Sequence, residues 1–307
     1  AISYILNTKD EDSIYELTRK MLEDKKEAYA ISLIDHIQDK SKLSNLLKVA
    51  LKYRYSDLIQ SIVNKLSEVE LATLSDDLTK YILDMIDKRK TADVVRFIKY
   101  TAENDKKKIL SKLLDKDELD YASTLLEEVS DVGVLKKAVK KYHEHGKKRN
   151  NFKLLEQAIT LARKLNDTKE EMDILSTMYD RGFFTKHISP DALPYLKQYL
   201  NQLKSTNKKK YSEVLRNLIK QGNEQLLEIA MEELNSIDNL KDFSKVVDEL
   251  IDKAYKVFHL ETYVEKKALM GVPKEEKIKA FSKFLQGKYP KFDNLKNFVE
   301  SLLSVKK

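Results

Sequence analysis

The sequence predicts an all-α chain built of short amphipathic helices stacked in pairs, and three observations carry that expectation. Turn-forming residues are scarce: six glycines and four prolines in 307 residues, fewer than an all-β chain needs. The long Val/Ile/Thr alternations that mark half-buried strands are absent. The central stretch from Asp131 to Gly182 reads as helix, break, helix, break, helix, and most of the chain varies that unit.

In the central stretch, Leu135, Ala138, Val139 and Tyr142 stand at i, i+3, i+4 and i+7, which places them on one helical stripe. Lys136, Lys137, Lys140 and Lys141 fill the gaps and are expected to face water. Gly146 is expected to stop this helix, because glycine enters the left-handed conformation without steric cost. The next helix carries Leu155, Ala158, Ile159 and Ala162 on one stripe, widened by Leu154, Leu161 and Leu165. Asn166-Asp167-Thr168 breaks the pattern. Asp167 or Thr168 is expected to cap the third helix, with Glu170 or Glu171 near its positive end. That helix offers Met172, Leu175, Met178 and Tyr179, and Gly182 closes it.

The rest of the chain follows the same pattern. Ser3 to Leu6 reads as strand-like or docked coil. Asp10-Glu11-Asp12 opens a helix with Ile14, Leu17, Met21 and Leu22, its acidic start matching the helix dipole. A second helix holds Ala28, Ile31, Leu33, Ile34 and Ile37. A third, from Ser41, brings Leu43, Leu46, Leu47 and Ala50, and Tyr55-Ser56-Asp57 turns into a fourth. Helices are then expected over 71–88, 91–103 with Thr91 as its cap, 106–114 and 118–129. After the central stretch they are expected over 190–203, 208–220, 223–234 and 240–258, with shorter ones from Glu261, Pro273 and Phe292. Pro190 and Pro273 suit first-turn positions, where a missing N–H costs nothing.

Successive pairs begin at a mean interval of roughly 33 residues, inside the range at which helical repeats stack. A hairpin of that size buries its apolar stripe only against neighbours. The widest break, Phe183 to Pro190, is expected to divide an N-terminal part of the array (1–185) from a C-terminal part (186–307), with one continuous domain as the alternative.

Composition narrows the class. The formal charge is +7, with charged residues at 35% and hydrophobic residues at 42%. With no cysteine, the chain has no disulfide framework, thiolate metal site or cysteine nucleophile. No apolar run approaches the roughly 20 residues of a membrane span. The opening AISYILNTKDEDS turns acidic too soon for a signal peptide. A soluble, cytoplasmic chain without membrane insertion is expected.

Tyr142 with Gly146, and Leu175 with Tyr179, recur at spacings similar to the first helix of a tetratricopeptide unit, and Ala158 and Ala162 resemble the small residues of its second. Over roughly residues 10–305 the chain resembles tetratricopeptide-type or HEAT-type helical repeats. It lacks the tetratricopeptide tryptophan and a regularly placed terminal proline. The resemblance implies a right-handed α-solenoid of stacked antiparallel helix pairs that binds a partner along its concave face, and it brings no catalytic residues with it.

Candidate chemistry is sparse. His143 and His145 flank Glu144 but sit on different helix faces and cannot share a metal, and the spacing is not HExxH. His36, His187 and His259 are isolated. Glu170, Glu171 and Asp173 fit a helical first turn, and Asp76-Asp77 and Glu127-Glu128 fit a helix surface. GxxxxGK[ST], GxGxxG and GxSxG are absent, so neither a cofactor nor an enzymatic role is expected.

The basic clusters stand above this background. One comprises Lys136, Lys137, Lys140, Lys141, Lys147, Lys148, Arg149 and Lys153. The other comprises Lys204, Lys208, Lys209, Lys210, Arg216 and Lys220. Lysine dominates arginine, which argues against reading bases. Tyr195 and Tyr199, at i and i+4, are expected to form an exposed aromatic ridge that receives a peptide. The sequence thus points to a non-enzymatic interaction scaffold with an acidic or extended-peptide protein partner. A phosphate backbone held by the lysine-rich patches, in a nucleic-acid-binding repeat, is the alternative.

Overall fold

The computed structural model describes residues 3, 6–7, 10–185, 187–264 and 271–304. Among the described residues the regular elements are α-helices and short 3-10 turns, with no strand. The chain is all-α. It divides into two compact units, Ala1–Glu144 with Thr160–Asn166, and His145–Ile159 with Asp167–Lys307. The break from Phe183 to Pro190 lies inside the second unit.

The first unit contains α1 (Glu11–Glu23), α2 (Glu27–Ile34), α3 (Lys40–Tyr53), α4 (Ser56–Val63), α5 (Glu68–Ala72), α6 (Ser75–Asp87), α7 (Glu103–Asp115) and α8 (Leu119–Ser123). Residues of α9 (Val132–Arg149) and α10 (Phe152–Lys164) belong to both units. Side chains set the starts. Asp10 accepts from the N–H of Asp12 and Ser13 to cap α1, Asp39 caps α3 in the same way, and Ser67 with Glu70 forms a capping box on α5. α1 packs on α2 and α3, α2 on α4, α3 on α4 and α6, and α6 on α7. Leu22, Leu33, Ile34, Leu43, Leu46, Leu47 and Ile62 are fully buried there. Each such aliphatic side chain contributes about 1.5–3 kcal/mol.

One polar link joins α6 to α7. Ser75 Oγ accepts from the Ala102 N–H at 2.8 Å and donates to Asp105 at 2.9 Å. Lys108 donates to the other carboxylate oxygen at 2.8 Å. Lys108 and then Ser75 hold the Asp105 carboxyl below its usual value, against the cost of burial.

In the first unit three expected helices differ. Residues 91–103 form two 3-10 segments, Thr91–Asp93 and Val95–Tyr100; the β-branched Thr91, Val94 and Val95 lower α-propensity there. Thr91 is buried and does not cap. Only Leu119–Ser123 of 118–129 is α-helical, and 71–88 is two helices, α5 and α6. The lead-in at Ser3 to Leu6 falls in part on Tyr4 and Ile5, which lie outside the described residues.

The second unit contains α11 (Thr168–Asp180), α12 (Leu193–Thr206), α13 (Lys208–Gln221), α14 (Glu224–Asn235), α15 (Ser244–Val257), α16 (Lys274–Lys288) and α17 (Asp293–Ser304). Asp167 caps α11 through the Glu170 N–H at 3.1 Å, and Gly182 follows that helix at φ 80. Pro190 opens a 3-10 turn, and Pro273 stands immediately before α16. The helix expected from Glu261 is a 3-10 turn, Leu260–Tyr263; residues 265–270 lie outside the described residues. α13 packs on α12, α14 and α15; α15 packs on α16, α16 on α17, and α14 on α17.

Gly146 does not stop α9. It sits inside the helix, where an added Cβ would lie 2.8 Å from the Leu155 side chain and 3.1 Å from the Leu155 nitrogen. The position is glycine because Leu155 comes that close. The stop is Asn150, at φ 49, and asparagine tolerates that conformation better than most residues.

In both units, ion pairs tie together helices that are distant in sequence. Arg54 pairs with Asp84, Lys141 with Asp117, Lys208 with Asp242, Arg216 with Glu249, Lys274 with Asp248, and Lys277 with Asp252. The partners stand 24 to 34 residues apart.

Candidate functional site

The two basic clusters take different forms. On the first-unit part of α9, Lys136 and Lys140 are exposed, whereas Lys137 and Lys141 are half-buried. Lys137 reaches Asp115 at 2.7 Å and Ser111 Oγ at 3.0 Å. Lys141 reaches Asp117 at 2.8 Å, a bond that holds its ammonium above the usual lysine value. These lysines with Gly133 and Glu144 line a shallow hollow of about 390 Å³. Beneath them Tyr142 is fully buried and donates to the Leu119 carbonyl at 2.7 Å, and burial pushes its phenol up. Lys147, Lys148 and Arg149, in the second unit, are exposed in the last turn of α9, where cations suit the dipole.

In α13 the lysines occupy the opposite end of the helix. Lys208, Lys209 and Lys210 fill its first turn, which holds no acidic residue, so their charge opposes the positive end of the dipole. Lys208 is offset by Asp242 at 2.5 Å and lies 5.6 Å from the Phe243 ring centre. Lys210 lies 3.3 Å from Glu213 and 5.4 Å from the Tyr179 ring centre. Arg216 is held by Glu249 through Nε at 2.9 Å. Among the described residues no acid stands within ion-pair distance of Lys209 or Lys220.

Two hollows open along this helix, about 560 and 460 Å³ in volume, and Asn217 and Lys220 line both. Lys208, Lys209, Arg216 and Phe243 contribute to the first, and Tyr179 and Phe184 to the second. Together they make a groove along α13. Tyr211 is buried in the same helix, donates to Glu233 at 2.8 Å and meets Phe243 edge-on at 5.9 Å.

The aromatic ridge expected of Tyr195 and Tyr199 is not exposed. Tyr199 retains 1% of its surface and packs on Tyr179 and Phe184 at 5.7 and 6.5 Å. Tyr195 is half-buried, donates to Glu156 at 3.0 Å and meets Phe152 edge-on. Tyr199 shares its stripe with Leu196, Leu200 and Leu203, the buried face of α12. The aromatic partly open to the groove is Tyr179.

His36, His187 and His259 are exposed, and His143 and His145 are half-buried. His259 holds φ 51 at the start of a 3-10 turn, a conformational role. Among the described residues no three His, Asp or Glu side chains are grouped to hold a metal ion, and no helix is long and apolar enough to cross a membrane.

Sequence reasoning missed a fourth hollow. In the first unit, Lys48, Leu51, Lys52 and Arg54 face Asp77, Lys80, Tyr81 and Asp84 around about 450 Å³. The only signal was Lys48 and Lys52 at i and i+4, an ordinary spacing for a solvated face.

No family model matches the chain, and no curated protein matches it. A solved structure described as "Circular tandem repeat protein with novel repeat topology and enhanced subunit contact surfaces" is similar over 98% of this chain and 64% of its own, at 12% identity and a TM-score of 0.16. The chain thus spans less than two thirds of that protein, and a likeness that loose establishes nothing further.

Proposed function

We propose that the chain is a non-enzymatic scaffold of the helical-repeat type, each unit a right-handed α-solenoid array of stacked antiparallel helix pairs, that binds acidic or extended segments of protein partners. The ion pairs 24 to 34 residues apart support the stacking, because each joins elements about one repeat apart. The groove along α13 supports the binding. From Lys208 to Lys220 the helix runs about 18 Å at 1.5 Å per residue, the span of five or six residues of extended peptide. Lys209 and Lys220 offer exposed charge with no acid within ion-pair distance among the described residues, and Tyr179 offers an aromatic edge. The net charge of +7 steers acidic partners toward these faces.

A nucleic-acid backbone is the second reading, favoured by the exposed Lys136, Lys140, Lys147, Lys148 and Arg149. The internal pairing of Lys137 and Lys141 weakens it. Fluorescence anisotropy separates the two, using a labelled acidic hexapeptide and a labelled single-stranded oligonucleotide at low and moderate salt. Peptide binding that falls about tenfold in Lys209→Glu/Lys220→Glu is the expected result. Oligonucleotide binding with a steep salt slope, and no peptide binding, would establish the second reading instead.

A further inference from the structure

We infer that the hollow between α3 and α6 is a binding site for a doubly charged phosphoryl group, independent of the proposed groove on α13. Elsewhere in this unit several lysines that reach across helices meet an acid (Lys42 meets Asp12, Lys112 and Lys116 meet Asp87, Lys137 meets Asp115), and others, Lys40 and Lys164, meet a backbone carbonyl. The hollow breaks that pattern. Lys48 and Lys52 on α3 and Lys80 on α6 converge on one space of about 450 Å³, and among the described residues none has an acid within ion-pair distance. Lys52 lies 5.6 Å from the Tyr53 ring centre.

The acids on the wall supply only part of the missing charge. Asp84 is engaged by Arg54, through two bonds at 2.6 and 2.9 Å, and by Lys88 at 2.9 Å. Asp77, half-buried on the same wall, makes no ion pair among the described residues and offsets one of the three lysines. Gathering three ammonium groups costs stability through like-charge repulsion. A ligand carrying two adjacent negative charges relieves it. A phosphomonoester carries about that charge with three acceptor oxygens, and each lysine brings three rotatable donors. Leu51 and Tyr81, both buried, line the same hollow. The chemistry is that of the phosphoryl group, whether on a small metabolite or on a phosphorylated side chain.

Isothermal titration at matched ionic strength tests this, with inorganic pyrophosphate in one arm and a phosphoserine peptide with its unphosphorylated twin in the other. The intact chain should bind at least one phosphorylated probe below about 1 mM. Pyrophosphate alone identifies a metabolite source, and the phosphopeptide without its twin identifies a side chain. Lys48→Gln/Lys52→Gln/Lys80→Gln should weaken binding about tenfold or more with a Tm no lower than the parent's. Lys20→Gln/Lys26→Gln, at exposed lysines outside every hollow described, should bind as the parent does. Absence of binding to both probes, equal loss in the two variants, or a lowered Tm in the triple variant would overturn the site.

Discussion

α9 and α13 each carry a run of lysines over a buried tyrosine, and the two helices use them differently. On α9, Tyr142 donates to a backbone carbonyl and Lys137 and Lys141 reach acids at Asp115 and Asp117. On α13, Tyr211 donates to the Glu233 carboxylate, and the lysines crowd a first turn that holds no acid of its own. On the α9 face Lys137 and Lys141 are tied down, while Lys136 and Lys140 stay exposed around a shallow hollow. The α13 face keeps free cations beside a groove. Lysine density alone therefore does not give the number of free cations; on both helices the acids about one repeat away decide which lysines stay unpaired.

The largest effects test the shared part of this design. Tyr142→Ala and Tyr211→Ala should each cost about 3–5 kcal/mol, as for other large buried side chains. If the units unfold separately in urea, each loss should appear only in the transition of its own unit. A loss below about 1 kcal/mol would remove the buried tyrosine as the anchor of its helix. Next, Gly146→Ala should cost about 1–3 kcal/mol, because the new methyl meets Leu155 side chain and backbone together. Gly133→Ala, whose nearest contact is the Asp131 side chain at 3.2 Å, should be neutral or stabilise by up to about 1 kcal/mol. Equal effects at the two glycines would show that Leu155 does not set the spacing.

The apolar stripes were legible because helical periodicity is local. Leu135, Ala138, Val139 and Tyr142 are all buried, as their spacing requires. Helix ends were less legible because this chain seldom uses glycine to stop. Lys25, Arg54, Arg89, Asp117, Asn150 and Asn166 hold positive φ instead, and their side chains do not announce it. Gly146, the one conspicuous stop signal in α9, serves packing. The lysines of α9 and α13 were visible as clusters, but their pairing was not, since Asp117 and Asp242 lie 24 and 34 residues away. The α3–α6 hollow was invisible for the same reason: Lys80 joins Lys48 and Lys52 only through the fold.

Alkaline pH probes the two tyrosines at smaller cost. Burial raises both phenols above their ordinary value of 10.0, and at Tyr211 the neighbouring Glu233 adds to it. Unfolded tyrosine ionises near pH 10 while the folded side chain stays protonated, so above that pH the native state holds more protons and stability falls as pH rises. Tyr142→Phe and Tyr211→Phe should each lose about 1 kcal/mol near pH 7. Each should also flatten the decline above pH 10, by up to about 1.4 kcal/mol per pH unit. An unchanged alkaline slope in the double variant would mean that other groups govern it.

The smallest effects separate the two helices most sharply, because they should differ in sign. Lys141→Ala removes a partly exposed bond to Asp117 and should cost less than about 1 kcal/mol. Lys209→Gln removes a cation that has no acid partner and faces the positive end of a helix, and should stabilise by about 0.3–1 kcal/mol. Thermal unfolding at low salt should show the opposition, and about 1 M salt should shrink both shifts. If Lys209→Gln instead lowers Tm, its ammonium contributes to the fold, and the α13 groove loses one of its two cations that have no acid within ion-pair distance.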